Sequence, residues 1–300
     1  MISIIGSGRV GSTIGFLAAS HSIDDVVLIN DPKNKAVGEE LDISNAVPDD
    51  SPFSVIGTGD ISKIKDSKVV VIAANNGRIK TGRMDLLKGN LQITRDFAKS
   101  IQKYAQDAKI LVITNPVDII TYFVQKESKL PRENVMGLGS SLDSSRLRYL
   151  LAKELDAKQS DIHDSLVLGE HGDTMVPILS RAKYGQKSVL DLLDVIRKEQ
   201  ITDDLRKYWT KIVAMKDVSS VFGISKIAYD MIDAILNEKE FSTSASVLLE
   251  GEYGISDVCM GVPLIIKKNE TVIQEIELER SEHDLLQTSA RFLRKQIMNC

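Results

Sequence analysis

The sequence predicts an α/β fold: a doubly wound parallel sheet in the first half of the chain, followed by an α+β half. Three observations carry this. Short β-branched runs alternate with longer helical patterns over the first half, a glycine-rich turn follows the first run directly, and beyond about residue 140 the alternation gives way to hairpin-like strands and long helices.

In order, residues 2–5, 26–29, 53–56, 68–74 and 110–114 are apolar and β-branched enough to be strands, and residues 10–20, 33–46, 85–106 and 116–126 carry helical periodicity between them. Strand, helix, strand is the unit of a parallel sheet, and each crossover is expected to be right-handed. The second half opens with a helix at 143–156 and has strand-like pieces at 165–168 and 246–249, with helical stretches at 191–216 and 218–237 between them. Runs 258–267 and 271–278, joined by Lys268-Asn269-Glu270, predict a hairpin. A last amphipathic helix opens on Ser281-Glu282-His283-Asp284, which predicts a capping box. The change of pattern divides the chain into a domain of residues 1–140 and another of residues 141–300.

Three hundred residues are enough for two domains with substantial cores. A formal charge of −4 argues against nucleic acid as a partner. No apolar run is long enough to span a bilayer, and MISIIGSG at the N-terminus carries no basic region, so no membrane association and a cytoplasmic location are expected. Cys259 and Cys300 are far apart with no CxxC spacing, which predicts neither a disulfide framework nor a metal site.

Gly6-Ser7-Gly8-Arg9-Val10-Gly11 follows the first strand and opens the first helix. That is the context of the GxGxxG dinucleotide-binding (Rossmann) fingerprint: without Cβ atoms the backbone turns tightly, approaches a pyrophosphate and aims the helix N-terminus at it. Kinase glycine loops share the pattern, but no lysine-bearing strand, HRD or DFG segment follows. An acidic residue closing the second strand should hold the adenosine ribose. Spacing from Gly11 selects Asp31, whereas the strand pattern puts Asn30 at the tip. A carboxylate there repels a 2′-phosphate, and an asparagine near Lys33 and Lys35 repels it less, so the cofactor reading is NAD with NADP as the alternative.

Four further stretches hold polar residues placed for chemistry. Thr114-Asn115-Pro116-Val117-Asp118 ends the fifth strand, where Asn115 can serve as a hydrogen-bonding group. In Leu142-Asp143-Ser144-Ser145-Arg146, Asp143 and Arg146 share one helix face and point either into a cleft or, as a surface ion pair, into water. The loop from Asn75 to Arg83 follows the fourth strand, where a lid or a plain exposed loop would lie. In Leu168-Gly169-Glu170-His171-Gly172-Asp173, one of four histidines emerges where a strand ends, as a catalytic group or as a turn residue at the surface. The other three histidines, His21, His163 and His283, fall at a helix end, a polar turn and a helix start, and read as surface or capping groups.

In combination, GSGRVG, TNPVD, LDSSRLR, GEHGD and the later Gly251-Glu252-Tyr253-Gly254 resemble the lactate/malate dehydrogenase family, most closely the lactate-dehydrogenase-like, archaeal-type malate dehydrogenases. The five motifs occur in the family's order over nearly the whole chain. The resemblance implies that His171 is the general acid/base, that Asp143 orients its imidazole and stabilises imidazolium, and that Arg146 grips the substrate carboxylate. It further implies that Arg83, on the loop, polarises the carbonyl and binds substrate, and that Asn115 contacts the reacting oxygen or the nicotinamide. Gly6, Gly8, Arg9, Val10, Gly11 and Asn30 or Asp31 would hold the cofactor. In the family, a residue six positions before the catalytic arginine selects between malate and lactate. Six before Arg83 is Gly77, with Arg78 next, and the expected Lys-Pro-Gly stretch is absent. The reading is a loop one residue shorter, with Arg78 pairing the second carboxylate of a dicarboxylate; the alternative leaves Arg78 in solvent. The implied activity is malate dehydrogenase, with lactate or another 2-hydroxy-acid dehydrogenase as runner-up and a nicotinamide-dependent glycosidase or an inactive nucleotide-binding protein as remote rivals. The implied assembly is a homodimer or homotetramer.

Overall fold

The apolar runs of the first half become strands of one parallel sheet because both of their faces are covered. A computed structural model describes residues 1–76, 86–237, 239–267 and 270–300. Strands β1 (Ile2–Ile5), β2 (Val26–Ile29), β3 (Val55–Thr58), β4 (Val69–Ile72), β5 (Lys109–Val112) and β6 (Val135–Gly137) lie in the order β3-β2-β1-β4-β5-β6. Helices α1 (Arg9–Ser20), α2 (Lys33–Ile43), α3 (Leu87–Tyr104) and α4 (Val117–Ser128) connect them. Alternate strand residues serve opposite faces. Ile4, Leu28, Val71 and Leu111 join Ile14 and Ala18 of α1 in one core. Ile5, Ile29, Ile72 and Ile110 join Ile101 of α3 and Ile120 of α4 in the other. Truncating any one of the isoleucines or leucines among these to alanine should cost about 2–5 kcal/mol. The strand order reverses between β1 and β4, which opens a crevice at the strands' carboxyl ends.

The second half begins with α5 (Ser140–Glu154) and continues through β7 (Ile162–His163), β8 (Leu166–Leu168), β9 (Val176–Ile178), β10 (Lys183–Tyr184) and β11 (Lys187–Ser188). Then come α6 (Val189–Leu192), α7 (Val195–Arg206), α8 (Tyr208–Lys216), α9 (Phe222–Leu236), β12 (Phe241–Glu250), β13 (Ser256–Lys267), β14 (Glu270–Ile273) and α10 (Arg280–Met298). β12 pairs antiparallel with β6, Ser246 opposite Gly137, and β13 and β14 follow, so a single nine-stranded sheet runs through both halves. Helix α9 returns to α1, where the Ser225 hydroxyl donates to the Val10 carbonyl at 3.3 Å.

Several elements differ from the sequence reading for identifiable reasons. The third strand moves from 53–56 to Val55–Thr58 because its register sets Val55 opposite Val26. The stretch at 191–216 is three helices, since Asp194 caps a new one by accepting from the Arg197 amide at 2.8 Å. The strand at 246–249 lies in the second half of the ten-residue β12, and 271–278 shortens to Glu270–Ile273. The hairpin is present, with Lys267 opposite Glu270, while Lys268 and Asn269 lie outside the described residues. The capping box of α10 belongs to Glu279 and Glu282 rather than to Ser281. Among the described residues no helix is long and apolar enough to cross a membrane, and no three His, Cys, Asp or Glu side chains are grouped to hold a metal ion.

Candidate active site

At the crevice, β1 hands the chain to α1 through a turn only glycine can make. Gly6 has φ +104, and a Cβ on it would lie 2.4 Å from the Ala74 amide nitrogen. A Cβ on Gly11 would lie 2.0 Å from the Gly6 carbonyl oxygen, whereas one on Gly8 would meet nothing within 4 Å. The helix start at Gly8 has no side-chain cap, so the first-turn N–H groups of Arg9 and Val10 are available to an anion. The Ser7 hydroxyl is buried with no hydrogen-bond partner among the described residues. An open glycine face, uncapped amides and an orphaned hydroxyl fit a dinucleotide pyrophosphate. At the end of β2, Asn30 continues the ladder, its N–H donating to the Thr58 carbonyl at 3.0 Å, and is half-buried; Asp31 beside it is exposed.

The β5 end is pinned to the root of the following loop. The Thr114 hydroxyl donates to the Ala74 carbonyl at 2.7 Å. Asn90, fully buried in α3, donates to the Asn115 carbonyl at 2.7 Å and the Asn75 Oδ1 at 2.8 Å, and accepts from the Asn76 N–H at 2.7 Å. Asn115 Oδ1 is buried without a partner among the described residues, as suits an acceptor kept for a ligand.

Across the cleft, α5 presents Asp143 and Arg146 inward. Asp143 is fully buried and divides its oxygens: Oδ2 is 2.5 Å from His171 Nδ1, and Oδ1 accepts from Arg146 Nη1 at 3.0 Å. The pair is therefore not a surface ion pair. Arg146 Nη2 donates to the Ser220 hydroxyl at 3.0 Å, and the guanidinium lies over the Tyr208 ring at 5.1 Å. With Nδ1 facing a carboxylate, Nε2 is the ring nitrogen of His171 turned away from Asp143.

The turn that carries His171 is held from three sides. Gly169 and Gly261 exchange backbone hydrogen bonds at 2.9 and 2.8 Å, and the Glu170 N–H donates to Ser289 of α10 at 2.7 Å. The His171 N–H donates to Asp118 Oδ2 of α4 at 2.7 Å. Burial is the leading cause that pushes the Asp118 carboxyl from its ordinary range up to about 7. Gly139 lets the imidazole in, since a Cβ there would stand 2.4 Å from the His171 Cβ.

Val10, Asn115, Arg146 and His171 thus line one cleft, together with Trp209, Ser219 and Ser220. Arg78 and Arg83 lie outside the described residues, as does the rest of the loop from Gly77 to Asp85. His21 and His163 are exposed and His283 is half-buried; none of the three lines the cleft. Sequence reasoning assigned no part to Asn90, Asp118, Gly139, Trp209 or Ser220. Asp118 stood in a quoted motif and Trp209 is the only tryptophan, but nothing local tied either to the site.

Comparisons with known proteins agree with this geometry. Residues 1–137 match the lactate/malate dehydrogenase NAD binding domain, and residues 140–300 match the alpha/beta C-terminal domain of the same family. The malate dehydrogenase of Staphylococcus saprophyticus is 39% identical over 296 residues, which cover 96% of this chain and 94% of that protein. The malate dehydrogenase structure from Aeropyrum pernix superposes with a TM-score of 0.95 at 28% identity, covering 100% of this chain and 98% of that one. The lactate dehydrogenase from Cryptosporidium parvum, complexed with lactic acid and nicotinamide adenine dinucleotide, gives 0.93 at 33% identity, with 100% and 98% covered. The chain belongs to the lactate/malate dehydrogenase family.

Proposed function

We propose that the protein is a malate dehydrogenase that interconverts (S)-malate and oxaloacetate with NAD. The observation that carries this reading is the buried His171-Asp143-Arg146 chain, with contacts of 2.5 and 3.0 Å, facing an orphaned Asn115 oxygen across a cleft that begins at the glycine loop. Bound NAD supplies the hydride acceptor or donor. His171 Nε2 takes the malate hydroxyl proton as the C2 hydride departs, and returns it in the reduction. Asp143 fixes the tautomer and stabilises the imidazolium that forms. Arg146 receives the C1 carboxylate, while Asn115 orients the reacting oxygen or the nicotinamide amide. Gly6, Gly8, Arg9, Val10 and Gly11 hold the pyrophosphate, and Asn30 and Asp31 stand at the β2 tip for the ribose. Arg83 polarises the carbonyl and Arg78 pairs the second carboxylate, assignments that rest on the family resemblance.

In this reading, residues 1–140 bind the cofactor and residues 141–300 supply the acid/base and the carboxylate grip. The name of the Staphylococcus saprophyticus relative favours malate, and the likeness to a lactate dehydrogenase fold keeps pyruvate as the second reading. We place the enzyme in the cytoplasm, where the free thiols of Cys259 and Cys300 persist, and assign it a homodimer or homotetramer. Exposed Phe16 and Phe222, which line one depression, are the apolar surface for such an assembly. The deciding measurement is the initial rate of NADH and NADPH oxidation with oxaloacetate and with pyruvate. Oxaloacetate with NADH should be fastest; faster turnover of pyruvate would transfer the chain to the lactate branch.

A further inference from the structure

We propose that Asp118 is a positioning residue for the reaction: through its hydrogen bond to the His171 backbone it sets where the imidazole stands relative to the cofactor side of the cleft. The proposal rests on His171 being the acid/base group. Two carboxylates hold His171, one at each end of the residue. Asp143 takes the ring at Nδ1, and Asp118 Oδ2 takes the main-chain N–H at 2.7 Å. The second tether differs from the first in where it is rooted. Asp143 sits on α5, in the same half of the chain as His171, whereas Asp118 sits in the first turn of α4, three residues after Asn115. One rigid helix start therefore carries both a group that faces the ligand and the anchor for the proton-transfer residue. Any shift of the second half against the first is resisted at the atom where it would most alter the reach of Nε2.

A packing role alone would be served better by an apolar side chain. Val117, Ile119 and Ile120 around it are all buried, and Asp118 is only 3% exposed, so an ionised carboxyl there carries a desolvation cost that leucine would not. Its surroundings are Ser246 of β12, Cys259 of β13, Glu170 and His171 of the turn, and Asp143 of α5. Its second oxygen and the Ser246 hydroxyl both lack a hydrogen bond of good geometry, yet they are close enough for the hydroxyl to favour the charged carboxylate. Burial pushes the carboxyl up to about 7, against the pull of the His171 backbone N–H and the Ser246 hydroxyl, which favour its charged form.

The test compares Asp118→Ala and Asp118→Asn with the parent enzyme in steady-state malate oxidation across pH, with NADH affinity measured by fluorescence. Alanine leaves the buried His171 N–H without an acceptor. Its kcat should fall about tenfold or more while NADH affinity stays within about twofold. Asparagine still accepts from that N–H and should recover most of the rate. It removes the negative charge, so the acid-side limb of kcat/KM should move to lower pH by about half a unit. An alanine variant with parental kcat overturns the proposal, as does an asparagine variant whose limb stays in place, and the latter decides the matter if the alanine variant does not fold. A His171→Asn control separates the two claims: parental turnover there would remove the acid/base reading itself, whatever the Asp118 variants do.

Discussion

Replacing Asp118 by asparagine should make the protein more stable at alkaline pH than at acidic pH, relative to the parent. In the native state the carboxyl ionises at about 7, mainly because it is fully dehydrated, against 3.8 for an exposed aspartate. The folded chain thus holds the proton more tightly than the unfolded one, and this group's contribution to stability falls as pH rises from about 4 to about 7 and is level above that. Moving from 3.8 to about 7 corresponds to about 4 kcal/mol in all, of which roughly 2 to 3 kcal/mol falls between pH 5 and pH 8. Unfolding entropy of about 2.1 cal/mol/K per residue gives roughly 0.6 kcal/mol/K for this chain, so the expected change in Tm difference is about 4 °C. Parent and variant would be melted by scanning calorimetry at about pH 5 and pH 8, at one scan rate and one protein concentration, because assembly shifts apparent stability. The variant's Tm relative to the parent should rise by about 4 °C between the two. A constant difference would mean that the native carboxyl is ionised at both values and that its charge is held by more than the His171 amide, which refutes the dehydration argument.

His171→Ala should lower kcat about 10²- to 10⁴-fold with NADH binding by fluorescence unchanged, and substantial residual turnover would remove it from proton transfer. Gly139→Ala drives a methyl to 2.4 Å from the His171 Cβ, so we expect a loss of about 1–3 kcal/mol in chemical denaturation and a fall in kcat; parental values of both would show that the turn yields freely. Gly8→Ala meets open space and should leave the melting temperature alone while raising KM for NADH, a pattern that an unchanged KM would contradict. Arg78→Gln should penalise oxaloacetate at least about tenfold more than pyruvate in kcat/KM, and equal losses would place Arg78 outside the pocket.

What could be read from the sequence was whatever is imposed locally. The phosphate loop is legible because a strand-to-helix turn that must approach a pyrophosphate admits glycine at fixed offsets, and Gly6 and Gly11 are sterically required there. The central strands are legible because burial on both faces leaves them wholly apolar. His171 was ambiguous alone and acquired a reading only in company with Asp143 and Arg146. The groups that went unread work through partners distant in the chain. Asn90 binds Asn115 across 25 positions, Asp118 binds His171 across 53, and Arg146 binds Ser220 across 74. Strand β6 was missed for the same reason: three residues acquire strand character by lying between β5 and β12. Asp118 is the sharpest case. An acid in the first turn of a helix is what the helix dipole favours in any exposed setting, so its type and position suggest a solvated end. Only the closure of β12, β13 and the His171 turn over that end makes the carboxyl dry. Its chemical character, including the proton it keeps to about pH 7, is therefore a property of the assembled halves and of neither half's sequence.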